Sequence, residues 1–363
     1  MLTADKEFLE ERLLLCLLRS DWQNVDGILK KSVPDFENFQ KLLKNSGAGS
    51  YIDWVVEKED KRSLFPDQYT NLFQSARKRA KIDNSYILGI LDKVLDATAK
   101  TKIEVILLKG ADLIHRTYKS PELRHLDDID LLIHKEDLGQ FLDLLQTLDF
   151  KVPSGRELEY FKRSSYNVEC WTKSLFPCLF EVHWDLSQKF RYRINMDDLW
   201  KNAEIAPSLS QQVKLLKPEH LFIHLCLHIF HHSFHPQLKW HIDIKELLQQ
   251  RASEIDMGSI STISAEWGCR HAVFYALLYL KKLFPELIQR SFFAHFQPSA
   301  MRDHLISICY SENPVRLFDS GGKKSSERMV RTLCIDRVSD MILFSFNRMI
   351  RNPWVKFPRE AED

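Results

Sequence analysis

The sequence predicts an α+β protein, a mixed-sheet core set between an N-terminal and a C-terminal helical region, on three observations. Apolar residues recur at helical spacing up to about residue 100 and again after about residue 206. Between them lie β-branched, apolar stretches, KIEVILL, DDIDLLI and CLFEVHWDL, of which the last two alternate acidic with apolar side chains. Lys109-Gly110 and Pro121 break the chain between the first two stretches. The expected boundaries are 1–100 for the N-terminal helical region, 101–205 for the core and 206–363 for the C-terminal helical region.

In chain order, Phe8, Leu9, Leu13, Leu14, Leu17 and Leu18 define a first helix, and FENFQKLLKNSG a second that stops at Asn-Ser-Gly. DNSYILGILDKVLDATAKT reads as a further helix, opened by Asp83, Asn84 and Ser85 and packed through Ile87, Ile90, Leu91, Val94 and Leu95. KIEVILL is the first strand, Ala111 to Lys119 a short helix, DDIDLLI the second strand and EDLGQFLDLLQTLDF an amphipathic helix. Lys151 to Thr172 carries no clear pattern, and CLFEVHWDL at 178–186 is the next strand. Past Pro218 the helical period returns in EHLFIHLCLHIFHH, KWHIDIKELLQQ and RHAVFYALLYLKKLF. Residues 320–326 read as a linker, and 338–350 as a solvated amphipathic helix near Arg348, Arg351 and Lys356.

At 363 residues and 44% hydrophobic content the chain can fill two or three cores. A net charge of +1, without a basic stripe, gives no reason to expect long nucleic acid as a partner. The cysteines (Cys16, Cys170, Cys178, Cys226, Cys269, Cys309, Cys334) are scattered without a C-x-x-C pair, so a reducing, cytoplasmic compartment is expected. Charged side chains precede LLLCLL, which is too short to span a bilayer, so neither a leader nor a transmembrane segment is expected.

Asp128 and Asp130 alternate on their strand and share one face, while Ile129, Leu131 and Ile133 take the other. Two carboxylates held together repel, and a divalent cation relieves them. Glu181, His183 and Asp185 alternate with Phe180, Val182 and Trp184, so Glu181 offers a third carboxylate. An isolated D-x-D is most often a surface pair; here it coincides with a Lys-Gly turn before it and an acidic strand after it. That set suits two-metal nucleotidyl transfer, in which two Mg2+ ions roughly 3.5–4 Å apart activate the attacking oxygen and neutralise the leaving pyrophosphate.

On this reading Asp128, Asp130 and Glu181 are both metal ligands and catalytic residues. The turn at Gly110 brings backbone close to the nucleotide phosphates, with Lys109 or Arg124 adding positive charge. Asp127 should point away from Asp128, and Asp185 marks the strand end. His183 either touches the metal shell or the acceptor, or hydrogen-bonds to fix its strand. His220, His224, His228 and His231 line one helix face; His224 and His228 with His241 and Asp243 suggest an HD-like metal hydrolase as another reading. The adjacent His-Asp pair and H-E-x-x-H are both absent, so imidazoles facing the cleft or its neighbours are favoured, with His224, His228 and Asp243 near the acceptor or behind the metals.

The strings LLKGADLIHRTY, RHLDDIDLLI, FEVHWDL and KPEHLFIHLCLH resemble the uncharacterised nucleotidyltransferase family of the DNA polymerase beta superfamily, over about residues 85 to 250. The resemblance implies a polymerase beta-like nucleotidyltransferase fold, with Asp128, Asp130 and Glu181 at the metal positions and Gly110 at the nucleotide-binding turn. Gly110-Ala111 departs from the Gly-Ser or Gly-Gly of the wider superfamily and removes a hydroxyl from the turn. The expected reaction is Mg2+-dependent transfer of a nucleoside monophosphate from an NTP, with ATP the expected donor, releasing pyrophosphate. The acceptor is an unidentified small molecule, peptide or saccharide, and a protein partner is compatible with the reading. A catalytically inactive nucleotide-binding or scaffold protein of the same fold is the alternative, favoured by Gly110-Ala111 and opposed by the intact carboxylates.

Overall fold

Helices α1 (Leu9–Leu18), α2 (Trp22–Lys31), α3 (Phe36–Ser46) and α4 (Gly49–Lys58) open the computed structural model, which describes residues 9–31, 34–206, 209, 212–231, 237–297, 300–309 and 324–350. The next helix, α5 (Asp67–Thr98), is 32 residues long and starts directly after Pro66. Asp83, Asn84 and Ser85 therefore lie inside a helix rather than at its start: good helix formers such as Arg77, Lys78, Arg79, Ala80 and Lys81 carry the helix through them. The two ends of α5 serve different cores. Tyr69 and Phe73 pack with Phe39 among the N-terminal helices, whereas Leu91, Val94 and Leu95 lie under the sheet.

The chain continues through β1 (Val105–Leu107), α6 (Lys109–Leu113) and a π-helical turn at Ile114–Tyr118 to β2 (Asp128–Leu132). Then come α7 (Leu138–Thr147), β3 (Phe150–Lys151), α8 (Gly155–Ser164), β4 (Asn167–Thr172), β5 (Leu179–His183), α9 (Met196–Lys201), β6 (Glu204–Ile205) and β7 (Val213–Leu215). The unpatterned 151–172 segment thus supplies α8 and β4, whose Val168 and Cys170 turn inward. The seven strands are ordered β3-β4-β5-β2-β1-β7-β6. β2 runs parallel to β5, β1 runs parallel to β7, and the other neighbours are antiparallel. Because β7 joins β1, the sheet extends past the boundary expected at 205.

Val105, Leu107, Ile129, Leu131, Phe180 and Val182 line one sheet face, covered by α5 and by Phe141, Leu142 and Leu145 of α7. Each such side chain contributes roughly 1.5–3 kcal/mol on burial. Ile106, Leu108 and Leu132, from the alternate positions, join the larger core built with the flanking helices. Those are α10 (Pro218–His231), α11 (Lys239–Gln250), α12 (Met257–Trp267) and α13 (Arg270–Leu283). α14 (Arg290–Ala294), α15 (Ala300–Cys309), α16 (Lys324–Leu333) and α17 (Val338–Ile350) complete the described chain. Of the linker expected at 320–326, Lys324 to Ser326 are helical and the rest lies outside the described residues, as do Arg351, Lys356 and the side chain of Arg348. Among the described residues no helix is long and apolar enough to cross a membrane, and Cys16, Cys170, Cys178, Cys226, Cys269 and Cys334 are free thiols.

Candidate active site

Parallel pairing of β2 with β5 sets Asp130 beside Glu181 and Leu132 beside His183, so alternate residues of both strands face the same side. On that side His183 Nε2 lies 3.0 Å from Asp130 Oδ1 and 3.2 Å from Glu181 Oε2. Asn167 of β4 donates to Glu181 Oε2 at 3.2 Å. Lys109 reaches in from the start of α6, its Nζ 2.5 Å from Asp130 Oδ1 and 3.9 Å from Glu181 Oε2. Lys109 has φ of 45°, the left-handed region that costs a side-chain-bearing residue roughly 1–2 kcal/mol. An outlier of this kind at a strand-to-helix junction beside a buried carboxylate marks a position under constraint.

Burial works against the Lys109 ammonium, but Asp130, Glu181 and Asp128 outweigh it and raise its pKa. Burial pushes the Asp130 carboxyl up, yet Lys109 and His183 hold it well below the usual carboxylate range. Asp128 is pushed up to about 6 by burial and then by its neighbour Asp130. His183 is raised: burial disfavours the imidazolium, and the hydrogen bonds to Asp130 and Glu181 more than offset that. The two aspartates of one strand are thus driven apart, Asp130 remaining ionised while Asp128 holds a proton more readily.

Gly110 packs where a Cβ would collide with Arg124 Nη1 and Leu126 Cδ2, so its lack of a side chain makes room for Arg124. Arg124 is itself committed: Nε and Nη2 donate to the Asp243 carboxylate at 3.1 and 3.0 Å, and Tyr118 Oη donates to the same group at 2.8 Å. Asp243 is fully buried and fastens α11 to the segment ahead of β2. Its partners are Arg124 and Tyr118, and it borders neither of the two cavities beside the carboxylates. That segment is also gripped from below by Asn84, whose amide donates to the carbonyls of Pro121 and Arg124 and accepts from Leu126 N at 2.8 Å. Asp127 accepts from Lys239 and from His125 and borders the cleft. Burial opposes its ionisation, but His125 and Lys239 hold its carboxyl far below the ordinary range.

Two cavities flank the carboxylates and share Lys109, Glu181 and His228. One, about 340 Å3, is bordered by Gly110, Asp128, Asp130 and Lys239. The other, about 260 Å3, is bordered by Tyr166, Ser187, Arg191, Tyr192 and His224. Helix α10 lines the cleft as expected, through His224, His228 and His231, but His220 turns away and stacks on Trp267 at 5.3 Å between ring centroids. Burial depresses His224 to about 3. Asp185 accepts from Ser187 N at 3.2 Å, and burial raises it to about 6.

The HD-like set does not assemble, since His241 packs on Tyr279, His228 packs on Trp240 and Asp243 is held by Arg124. Sequence reading missed Lys239, Arg191 and Asn84. Of these only Lys239 left a signal, four residues before Asp243 and hence on the same helix face.

Among the described residues, Asp130, Glu181 and His183 form the group able to close on an ion, with one ligand atom from each lying within 4.8 Å of the others. Two carboxylates and an imidazole fit a divalent cation, and the nearby Lys109 ammonium gives independent evidence that the spot attracts positive charge. Asp128 borders the same cleft but stands outside that tight group. In comparisons with known proteins, no curated protein matches the chain. A sequence family described as uncharacterised nucleotidyltransferase matches residues 33–285, from just before α3 to just past α13 and so well beyond the motif strings. With most of its length inside that match, the chain belongs to the uncharacterised nucleotidyltransferase family.

Proposed function

We propose that the protein is a Mg2+-dependent nucleotidyltransferase of polymerase beta-like fold that moves a nucleoside monophosphate from an NTP to an acceptor and releases pyrophosphate. The observation that carries this reading is the parallel register that sets Asp130, Glu181 and His183 within one ion's reach, with Asp128 bordering the same cleft. Asp128, Asp130 and Glu181 would hold the cations, which when bound neutralise the triphosphate and activate the acceptor oxygen. His183 orients the Asp130 and Glu181 carboxylates through its Nε2. Asp128, with its raised pKa, gives up its proton more fully when positive charge arrives.

Lys109, Arg124 and Lys239 all border the larger cavity and would supply the positive charge for the phosphates, Arg124 while held by Asp243. The rest of the work is alignment in a partly dry cleft. Localisation in the cytoplasm and ATP as donor belong to the same proposal.

The Lys109–Asp130 pair favours a second reading, a nucleotide-binding protein without turnover, because an ammonium can stand in for a cation. Calorimetric titration of each NTP with Mg2+ into the wild type and a folded Asp128→Asn, Asp130→Asn variant tests the proposal. Mg2+-dependent binding of an NTP that the variant loses is the expected result, and absence of binding to wild type sinks it. Wild type that binds an NTP equally well without Mg2+ and releases no pyrophosphate with any acceptor class supports the second reading instead.

A further inference from the structure

The smaller cavity holds a charge that nucleotidyl transfer alone does not call for. Arg191 is 3% exposed, yet among the described residues no carboxylate pairs with it. Its Nη1 lies 3.5 Å from His231 Nδ1, while Nε and Nη2 have no hydrogen-bond partner among the described residues. The rings of Tyr192 and Phe344, 5.2 and 5.9 Å from the guanidinium carbon, orient it but bring no negative charge. Among the described residues His224, also 3% exposed, has neither ring nitrogen paired, and Ser187 Oγ and Tyr192 Oη are likewise buried without partners. All four side chains line the one cavity, whose wall continues to Lys109, Glu181 and His183.

A buried cation without a counter-charge is costly to keep, and every buried donor left unpaired adds to that cost. Nε–H and Nη2–H form the side-on fork of a guanidinium, which matches two oxygens of an oxyanion. We propose that this cavity is the acceptor subsite and that the acceptor carries a phosphate monoester, gripped by the Arg191 fork with Ser187, Tyr192 and His224 around it. The proposal rests on the nucleotidyltransferase reading for the word acceptor. A planar carboxylate offers two oxygens and would leave several of these donors unmet, whereas a tetrahedral phosphate presents oxygens in more directions.

Inorganic phosphate and acetate, as probes of the two oxyanion classes, are titrated into the full-length protein with and without saturating Mg2+ and a non-hydrolysable NTP analogue. Arg191→Met, Arg191→Lys and the Asp128→Asn, Asp130→Asn variant are compared, each checked for native circular dichroism. Phosphate should bind wild type with the analogue present, weaken about tenfold or more in Arg191→Met and by less in Arg191→Lys, and persist in the aspartate variant. Acetate should bind at least about tenfold more weakly than phosphate. If Arg191→Met does not fold, the wild-type-to-lysine difference and a Ser187→Ala variant carry the same reading.

Phosphate binding indifferent to Arg191 and Ser187 overturns the subsite. Acetate binding as tightly as phosphate overturns the phosphate class. Phosphate displaced one-for-one by the NTP analogue assigns the cavity to the donor and overturns its acceptor role. Arg191-dependent phosphate binding in a protein that takes no NTP leaves the oxyanion site standing and defeats the nucleotidyltransferase reading instead, so the two failures are distinguishable.

Discussion

Arg124 and Arg191 are both buried in the neighbourhood of the carboxylate cleft, 6% and 3% exposed, and their surroundings are opposite. Arg124 has its charge answered within the chain by Asp243, whose second donor is Tyr118, and it leaves Gly110 no room for a side chain. Arg191 has aromatic faces and an imidazole about it and no anion among the described residues. A buried charge that the fold itself neutralises is a fastening. One that the fold leaves open is prepared for something that arrives from outside.

The sharpest way to break this comparison is to neutralise each site in turn. Asp243→Asn leaves Arg124 uncompensated in the interior and should lower the unfolding free energy by about 3–5 kcal/mol in urea denaturation, while Arg191→Met should leave it equal or raise it. Equal losses in the two variants would erase the distinction.

Two imidazoles extend the contrast to pH. Burial depresses His241 to about 4 and His224 to about 3, from an ordinary 6.5, so both are neutral in the folded chain. Below pH 6.5 the unfolded chain takes up their protons first, and stability falls as pH drops toward 4, by about 3 kcal/mol for His241 alone. His241 is packed on Tyr279 away from the cleft, so His241→Phe should flatten the acid limb of melting temperature against pH while Mg2+-dependent NTP binding is unchanged. A smaller effect is expected at Asn84, where Asn84→Ala removes the bonds to Pro121, Arg124 and Leu126 and should cost about 2 kcal/mol. If NTP affinity measured by calorimetry did not weaken with it, the segment ahead of β2 would not need that grip to present Asp128 and Asp130.

Alternation in DDIDLLI and FEVHWDL was legible without coordinates, because a period of two assigns each side chain a face, and those faces are the ones that meet at Asp130, Glu181 and His183. Strands as short as β6 and β7 left no period to read. Asp-Asn-Ser is a capping signature and so reads as a helix start at Asn84, whereas the partners of Asn84 lie 37 to 42 residues away. For the same reason the two arginines look alike in the sequence. Whether Arg124 is answered depends on Asp243, 119 residues further on, and nothing local to RHL or RYR distinguishes them.

The length of α5 decides how the protein can be dissected. Its first half is anchored among the N-terminal helices and its second half is the cover of the sheet, so a cut at residue 100 strips Leu91, Val94 and Leu95 from the apolar underside and removes Asn84 as well. A piece ending at 205 would in addition lose β7, baring the edge of β1, and the Asp243 fastening of α11. Even a piece from Asp67 to Gln250, which keeps the carboxylates, Asn84, β7 and Asp243, parts Tyr69 and Phe73 from Phe39 and α10 from α12 and α13, so the carboxylate cleft is not separable from the helices on either side of it.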